Sequence, residues 1–271
     1  MLIEELIVQI RLWKKQIFKN HSKFCLTMLS IAKKALIVID YDKTMVEYDS
    51  DDWMLEKVGY KFEKPVDIDQ IVDWIGYIAP IEVELTTKYK VSVEKQRSIM
   101  EEIPSVEYFP DFLKYLLQEK EMKFKNCEFW IVSGSNTLYI EWYLERNKVS
   151  KLIDKIIANP SYVDEKTKFF IQKPYHENSC KYCTKNMCKQ KAMKDMLAIE
   201  KKQFEKILYI GDGKFDFCTC SQMLTGKDII FARKGFKLEK MLQSSKDNCK
   251  ATVNVWANGK ELQKSFENLL I

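Results

Sequence analysis

From Leu36 to Ile39 the chain is unbroken aliphatic, and at Asp40-Tyr41-Asp42-Lys43-Thr44 it turns abruptly polar. A short apolar run without alternation predicts a strand buried on both faces, the kind found in a parallel sheet. The same break recurs. Phe129-Trp130-Ile131-Val132 runs into Ser133-Gly134-Ser135-Asn136, and Lys206 to Ile210 runs into Gly211-Asp212-Gly213-Lys214-Phe215-Asp216. Ile153 to Ala158 predicts another strand, and Asp228 to Ala232 and Ala251 to Val255 predict shorter ones. Helices are expected from Asp111 to Lys120, with Phe112, Leu113, Leu116 and Leu117 on one face, and from Thr137 to Asn147. Strand, turn and helix in repetition predict an α/β fold, a Rossmann-like parallel sheet in a three-layer sandwich with right-handed crossovers. Residues 46–106 carry Trp, Tyr, Glu and Lys at helical spacing without strand alternation, which predicts a small helical cap inserted after the first strand. Residues 1–30 read as an extension to a domain spanning 31–271. Leu2, Ile3, Leu6, Ile7, Ile10 and Trp13 give that extension near-helical spacing, and Met28 is a candidate second start.

Composition narrows the function classes. With 271 residues, 46% of them hydrophobic and 31% charged, the chain suits one sizeable core carrying an insert. No apolar run reaches bilayer-spanning length, and no cleavage site follows the first hydrophobic residues, so a cytoplasmic protein with no membrane partner is expected. The net charge is +5, but residues 1–30 hold five basic side chains against Glu4 and Glu5, which leaves the rest of the chain only +2. That balance gives the domain no basic stripe and argues against a nucleic-acid partner. A reducing compartment would keep the eight cysteines as thiols or ligands and not as a disulfide framework. Monomer and homodimer both stay open.

Two carboxylates at one strand end repel each other unless a cation lies between them, and Mg²⁺ is the ion that accepts few protein carboxylates and keeps positions for water and phosphate. Asp40, Asp42 and Thr44, then Ser133 and Asn136, then Asp212 and Asp216 all follow predicted strands, so one sheet edge should collect them. In this order the set resembles the haloacid dehalogenase (HAD) superfamily of phosphotransferases. The finer likeness is to eukaryotic phosphatases of phosphoethanolamine, phosphocholine and pyridoxal phosphate. It rests on Ser50-Asp51-Asp52, Asn159-Pro160, Tyr175-His176, Cys180 with Cys183, Asn186-Met187-Cys188-Lys189, Gly211-Asp212-Gly213 and Arg233-Lys234-Gly235.

The resemblance implies a Mg²⁺-dependent phosphomonoesterase acting on a small phosphate ester through an aspartyl-phosphate. Asp40 would be the nucleophile, Asp42 the general acid and then base, and Lys189 the fixed positive charge, with Lys191 as the fallback. Mg²⁺ would take the Asp40 carboxylate, the Asp42 carbonyl, Asp212 and Asp216. Thr44, Asp51, Ser133 and Asn136 would face substrate. Trp53, Trp74 and Tyr77 either wall the pocket or form the cap's own core. Two positions depart from the pattern: Gly134 stands where an acid is usual, and Phe215 where Asn is usual. Alternatives are a pyridoxal phosphate or other metabolite phosphatase, and a catalytically inactive phosphoester-binding regulator.

His176, Cys180, Cys183 and Cys188 form an H-x3-C-x2-C-x4-C cluster that the related phosphatases share. The spacing suits either a structural Zn²⁺ site or a reduced loop that packs its thiols. Cys25, Cys127, Cys218, Cys220 and Cys249 lack ligand spacing and are expected in the core or at the surface, and His21 has no partner group in the sequence.

Overall fold

Alternate residues of the central strands pack into two separate cores, one on each face of a single sheet. The computed structural model describes residues 34–61, 73–245 and 248–269. The expectations for residues 1–30, Met28, His21 and Cys25 lie outside these. In chain order the strands are β1 (Ala35–Ile39), β2 (Cys127–Asn136), β3 (Lys155–Asn159), β4 (Ser161–Val163), β5 (Phe170–Gln172), β6 (Lys206–Gly211), β7 (Ile229–Arg233) and β8 (Thr252–Trp256). Six of them form a parallel sheet in the order β3-β2-β1-β6-β7-β8, which puts β1 between β2 and β6. Ile37, Ile39, Phe129, Ile131, Ile210 and Phe231 face one layer, while Leu36, Val38, Trp130, Val132, Tyr209 and Ile230 face the other. This is the period-two alternation of a sheet covered on both sides, hidden in the sequence because both faces are apolar.

The helices are α1 (Ser50–Val58), α2 (Trp74–Thr87), α3 (Val93–Glu101), α4 (Phe109–Glu119), α5 (Thr137–Arg146), α6 (Lys189–Ile199), α7 (Lys214–Gln222), α8 (Lys237–Ser244) and α9 (Gly259–Leu269). Phe112 and Leu116 of α4, Ile140 and Tyr143 of α5 and Phe266 of α9 fill one face of the sheet. Ala192 and Met193 of α6, Phe217 of α7 and Leu238 and Leu242 of α8 fill the other. The fold is therefore the three-layer α/β sandwich.

Helices α1, α2 and α3 lie between β1 and α4. The chain leaves and returns at a narrow neck, where Val46 pairs antiparallel with Ser105, Glu47 N donates to Pro104 O (2.9 Å) and Val106 N donates to Met45 O (3.0 Å). Arg146 of α5 clamps that neck by donating to the carbonyls of Glu101 and Ile103 and to Ser105 Oγ. The insert packs on the sheet's first layer through Trp53, Leu55, Ile78, Ile81 and Leu85.

Several boundaries shift from the sequence pattern by a residue or more, and one hairpin is new. β2 does not stop at Val132 but continues to Asn136, because Asn136 pairs with Asn159 of β3 and Gly134 O accepts from Asn159 Nδ2 (2.5 Å). β8 is displaced by one residue so that Trp256 can donate its indole N–H to Phe231 O (3.0 Å). The hairpin of β4 and β5 is not legible in the sequence, since strands of three residues are too short to show a period.

Candidate active site

Because the six strands are parallel, their carboxyl ends lie at one edge, and the polar residues after β1, β2 and β6 meet there. Asp40 directly follows β1 and is tied to β6 by its own N–H, which donates to Ile210 O (2.9 Å). Its Oδ1 accepts from Tyr41 N (2.7 Å) and from Lys189 Nζ (2.7 Å). Lys189 is the first residue of α6, is 3% exposed, and also reaches Asp216 Oδ1 at 2.7 Å. Asp216 is held by three further donors: Tyr209 OH (2.7 Å) on Oδ1, and Asp212 N (3.1 Å) and Gly213 N (2.8 Å) on Oδ2. The bend that makes this possible needs glycine at 211, where a Cβ would lie 2.6 Å from Asp216 Oδ2.

Asp212 Oδ1 accepts from Thr44 Oγ1 (3.3 Å), and Asp40, Asp212 and Asp216 each offer an oxygen within 4.8 Å of the others. Three buried carboxylates against one lysine leave an excess of negative charge. Burial and the neighbouring Asp216 push Asp40 up to about 7, against the pull of Lys189. Burial, Asp40 and Asp216 likewise raise Asp212. Burial lowers the affinity of Lys189 for its proton, but Asp216 and Asp40 more than offset it and keep the ammonium charged. A divalent cation relieves such a set. All donors are hard oxygens, which fits Mg²⁺.

Residues 35–270 match the sequence model of the family described as "Putative Phosphatase". The chain belongs to this family of HAD phosphatases. It is a hydrolase of phosphoric monoesters. A probable phosphatase, phospho2, of Xenopus tropicalis is 28% identical over 88% of this chain and 99% of its own length. A phosphoethanolamine/phosphocholine phosphatase of Gallus gallus is 29% identical over 88% of this chain and 89% of its own. The crystal structure of an apo phosphoserine phosphatase shares the fold, with a TM-score of 0.51 and 17% identity over 86% of this chain and 98% of that one.

Within this HAD phosphatase, Asp42 turns from the edge toward the insert. Its Oδ1 accepts from Ser50 N (3.0 Å), and burial together with Asp49, Asp51 and Asp40 raises its pKa well above the ordinary carboxylate range. Ser50 Oγ meets Ser135 Oγ at 2.8 Å, and Ser133 Oγ accepts from Ser135 N (3.2 Å), so α1 is joined to the end of β2. Asp51 accepts from the Trp74 indole at Oδ2 (2.6 Å), while its Oδ1 has no hydrogen-bond partner among the described residues.

The remaining expected residues take these places. Asn136 serves as a helix cap. It is 0% exposed, and its Oδ1 caps α5 by accepting from Tyr139 N (3.0 Å) and also takes Ser161 Oγ. The Thr44 hydroxyl is fully buried and orients Asp212. Lys191 pairs with Asp195 on the exposed side of α6, so Lys189 is the cation at the site. Trp53 is a core residue that donates to Ile99 O (3.0 Å). His176 does not join the cysteines: Cys180, Cys183 and Cys188 are met by Cys218 of α7 instead, and His176 Nε2 accepts from Cys188 N (3.2 Å).

Three residues at the site had no role assigned from the sequence. Tyr209 anchors Asp216. Arg233 donates to Lys43 O (2.6 Å) and pairs with Glu47 (2.6 Å), fixing the loop that carries Asp42. Glu82 lies on α2, 3% exposed, with its Oε1 near Tyr139 OH (3.5 Å) and its Oε2 without a partner among the described residues. A signal for Glu82 existed, because it occupies the apolar stripe formed by Ile75, Ile78 and Leu85, where an acid is out of place.

Replacing Asn136 by Ala should cost about 1 kcal/mol of stability through loss of the helix cap and leave KM unchanged. Denaturant unfolding and steady-state kinetics check this. A raised KM at unchanged stability would return Asn136 to the substrate.

Proposed function

We propose that the chain hydrolyses small phosphate monoesters with a cationic head group, using Mg²⁺ and an aspartyl-phosphate at Asp40. The observation that carries the reaction is the meeting of Asp40, Lys189 and Asp212 at the carboxyl edge of the sheet. Tyr41 N and Lys189 Nζ both occupy Asp40 Oδ1, which assigns attack on phosphorus to Oδ2. Asp42, whose carboxyl is raised well above the ordinary carboxylate range by burial and the neighbouring Asp49, Asp51 and Asp40, gives a proton to the leaving oxygen as the P–O ester bond breaks. The same carboxylate then takes a proton from water, which attacks the acyl phosphate and frees Asp40 and inorganic phosphate. Lys189 holds fixed positive charge beside the phosphoryl oxygens, and Ser133 Oγ donates to them. Asp40, the Asp42 carbonyl and Asp212 would hold Mg²⁺, which supplies charge neutralisation for the transferred phosphoryl group. Asp216 carries four hydrogen bonds and serves to position Lys189.

The head-group reading rests on Asp51 and Glu82. Burial and Asp49 push Asp51 to about 7, and burial and Asp51 push Glu82 to about 8. Each has a buried oxygen without a hydrogen-bond donor among the described residues. The Trp74 and Tyr77 rings lie 5.7 Å apart and tilted at 42°, and the Trp74 indole donates to Asp51. Buried acids that each keep one oxygen without a donor among the described residues, close to aromatic rings, suit an ammonium group. In its ionised form Glu82 supplies from the insert the negative charge that Gly134 lacks. The relative acting on phosphoethanolamine and phosphocholine supports the same substrate class.

Asp40→Asn should lower turnover by roughly 10³-fold or more with the fold intact by circular dichroism, since an amide is a poor nucleophile. Substantial residual activity would contradict the mechanism. Head-group recognition is read from the ratio of kcat/KM for phosphoethanolamine to that for its neutral isostere 2-hydroxyethyl phosphate, in which the phosphate's own titration cancels. Carboxyls with raised pKa values are protonated at low pH and gain charge as pH rises. The ratio should therefore climb between about pH 6 and pH 9, and Glu82→Gln should reduce it about 10-fold at pH 9. A flat ratio untouched by Glu82→Gln would contradict the head-group reading and leave Asp40's role standing.

A further inference from the structure

On the sheet face opposite the insert, four thiols from two chain segments converge beside the site. Cys180, Cys183 and Cys188 come from the loop before α6, and Cys218 comes from α7. Their sulfurs all lie within 4.8 Å of one another, with Cys180 Sγ to Cys218 Sγ at 3.4 Å and Cys188 Sγ to Cys218 Sγ at 3.8 Å. Zn–S bonds of about 2.3 Å in a tetrahedron place sulfurs about 3.8 Å apart. Thiols that merely pack in a core have no reason to gather four at one point.

The loop around them is built as a ligand knuckle. Asn178 Oδ1 accepts from Cys180 N (2.9 Å), and Asn178 Nδ2 donates to Thr184 O (2.9 Å) and Lys185 O (3.1 Å), so one amide side chain closes the turn around the pair Cys180 and Cys183. Cys183 N donates to Cys180 O (3.4 Å) within it. His176 is turned to a supporting part, its Nε2 accepting the N–H of Cys188. We propose that Cys180, Cys183, Cys188 and Cys218 bind one structural Zn²⁺, with Cys218 and not His176 as the fourth ligand.

The position of the ion gives it a consequence for turnover. Cys188 directly precedes Lys189, and Cys218 follows Asp216 by two residues on α7. An ion bonded to both cysteines joins the backbone that presents the lysine to the backbone that presents its carboxylate partner, and so fixes the 2.7 Å contact between them. The effect on kcat rests on the role proposed above for Lys189, whereas metal content and ligand identity do not.

The test uses the full chain purified without added zinc. Elemental analysis should give about one zinc per chain in the wild type and in His176→Ala, and a large loss in Cys218→Ser. If Cys218→Ser does not fold, the wild type reconstituted with Co²⁺ replaces it: a tetrathiolate site shows tetrahedral d–d bands with thiolate-to-cobalt charge transfer, and His176→Ala should not alter them. Chelation followed by return of Mg²⁺ alone should lower kcat roughly 10-fold or more and lower Tm together. A zinc-free preparation with full activity and Tm would overturn the proposal. So would zinc retained in Cys218→Ser and lost in His176→Ala, or peptide mapping that finds a Cys180 to Cys218 disulfide in the active enzyme.

Discussion

The buried contact of Lys189 with Asp40 and Asp216 is the interaction on which the site depends. Two carboxylates placed together away from water repel, and the charged amine between them offsets part of that repulsion. Removing one member of such a set leaves uncompensated buried charge, a loss of about 3–5 kcal/mol. The surrounding structure is arranged to hold this contact. Gly211 leaves room for Asp216, Tyr209 and two backbone N–H groups pin it, and α6 begins at Lys189 itself. Even so, one lysine does not balance three carboxylates. With folded pKa values raised, Asp40 and Asp212 disfavour the metal-free fold as pH rises from the ordinary carboxylate range, for Asp40 through about 7. A dication at that point removes the penalty, so the charge needed for phosphoryl transfer and the charge needed for stability are the same.

The insert adds a second field of negative charge that the core lacks. Ser50 links it to Asp42 and Ser135, so helix α1 reports directly to the acid that would protonate the leaving group. Asp51 and Glu82 belong to the same insert, and each carries an oxygen with no hydrogen-bond partner among the described residues. A Cβ added at Gly134 would meet nothing within 4 Å, so an acid would have room there, and in the proposed reading Glu82 of the insert takes its place. Selectivity among esters that share one phosphate then falls to cap residues, where remote contacts can distinguish head groups.

The parallel sheet and its chemistry were legible because each motif residue follows an apolar run that can only be a buried strand. Asp40, Asp212 and Asp216 were named from local motifs and Lys189 only through the family resemblance, and the fold brings them together. What was not legible depends on contacts between distant segments. Asn136 reads as a ligand residue because a polar turn after a strand looks the same whether it faces a substrate or caps the next helix. Cys218 carries no spacing relation to Cys188, and only the packing of α7 against the preceding loop brings them together. Tyr209 was hidden inside an apolar strand whose two faces cannot be told apart by hydrophobicity.

The central claim is that Lys189 and Asp216 present Asp40 as the nucleophile, so the most direct measurement is to locate the phosphoryl group during turnover. Asp42→Asn should form the acyl phosphate from an ester with a good leaving group and hydrolyse it slowly, because an amide cannot take the proton from water. Acid quenching of that variant with Mg²⁺ and ³²P-labelled aryl phosphate, followed by peptide mapping, should recover close to one label per chain on Asp40. Label on any other residue, or turnover without a trapped acyl phosphate, would contradict the account.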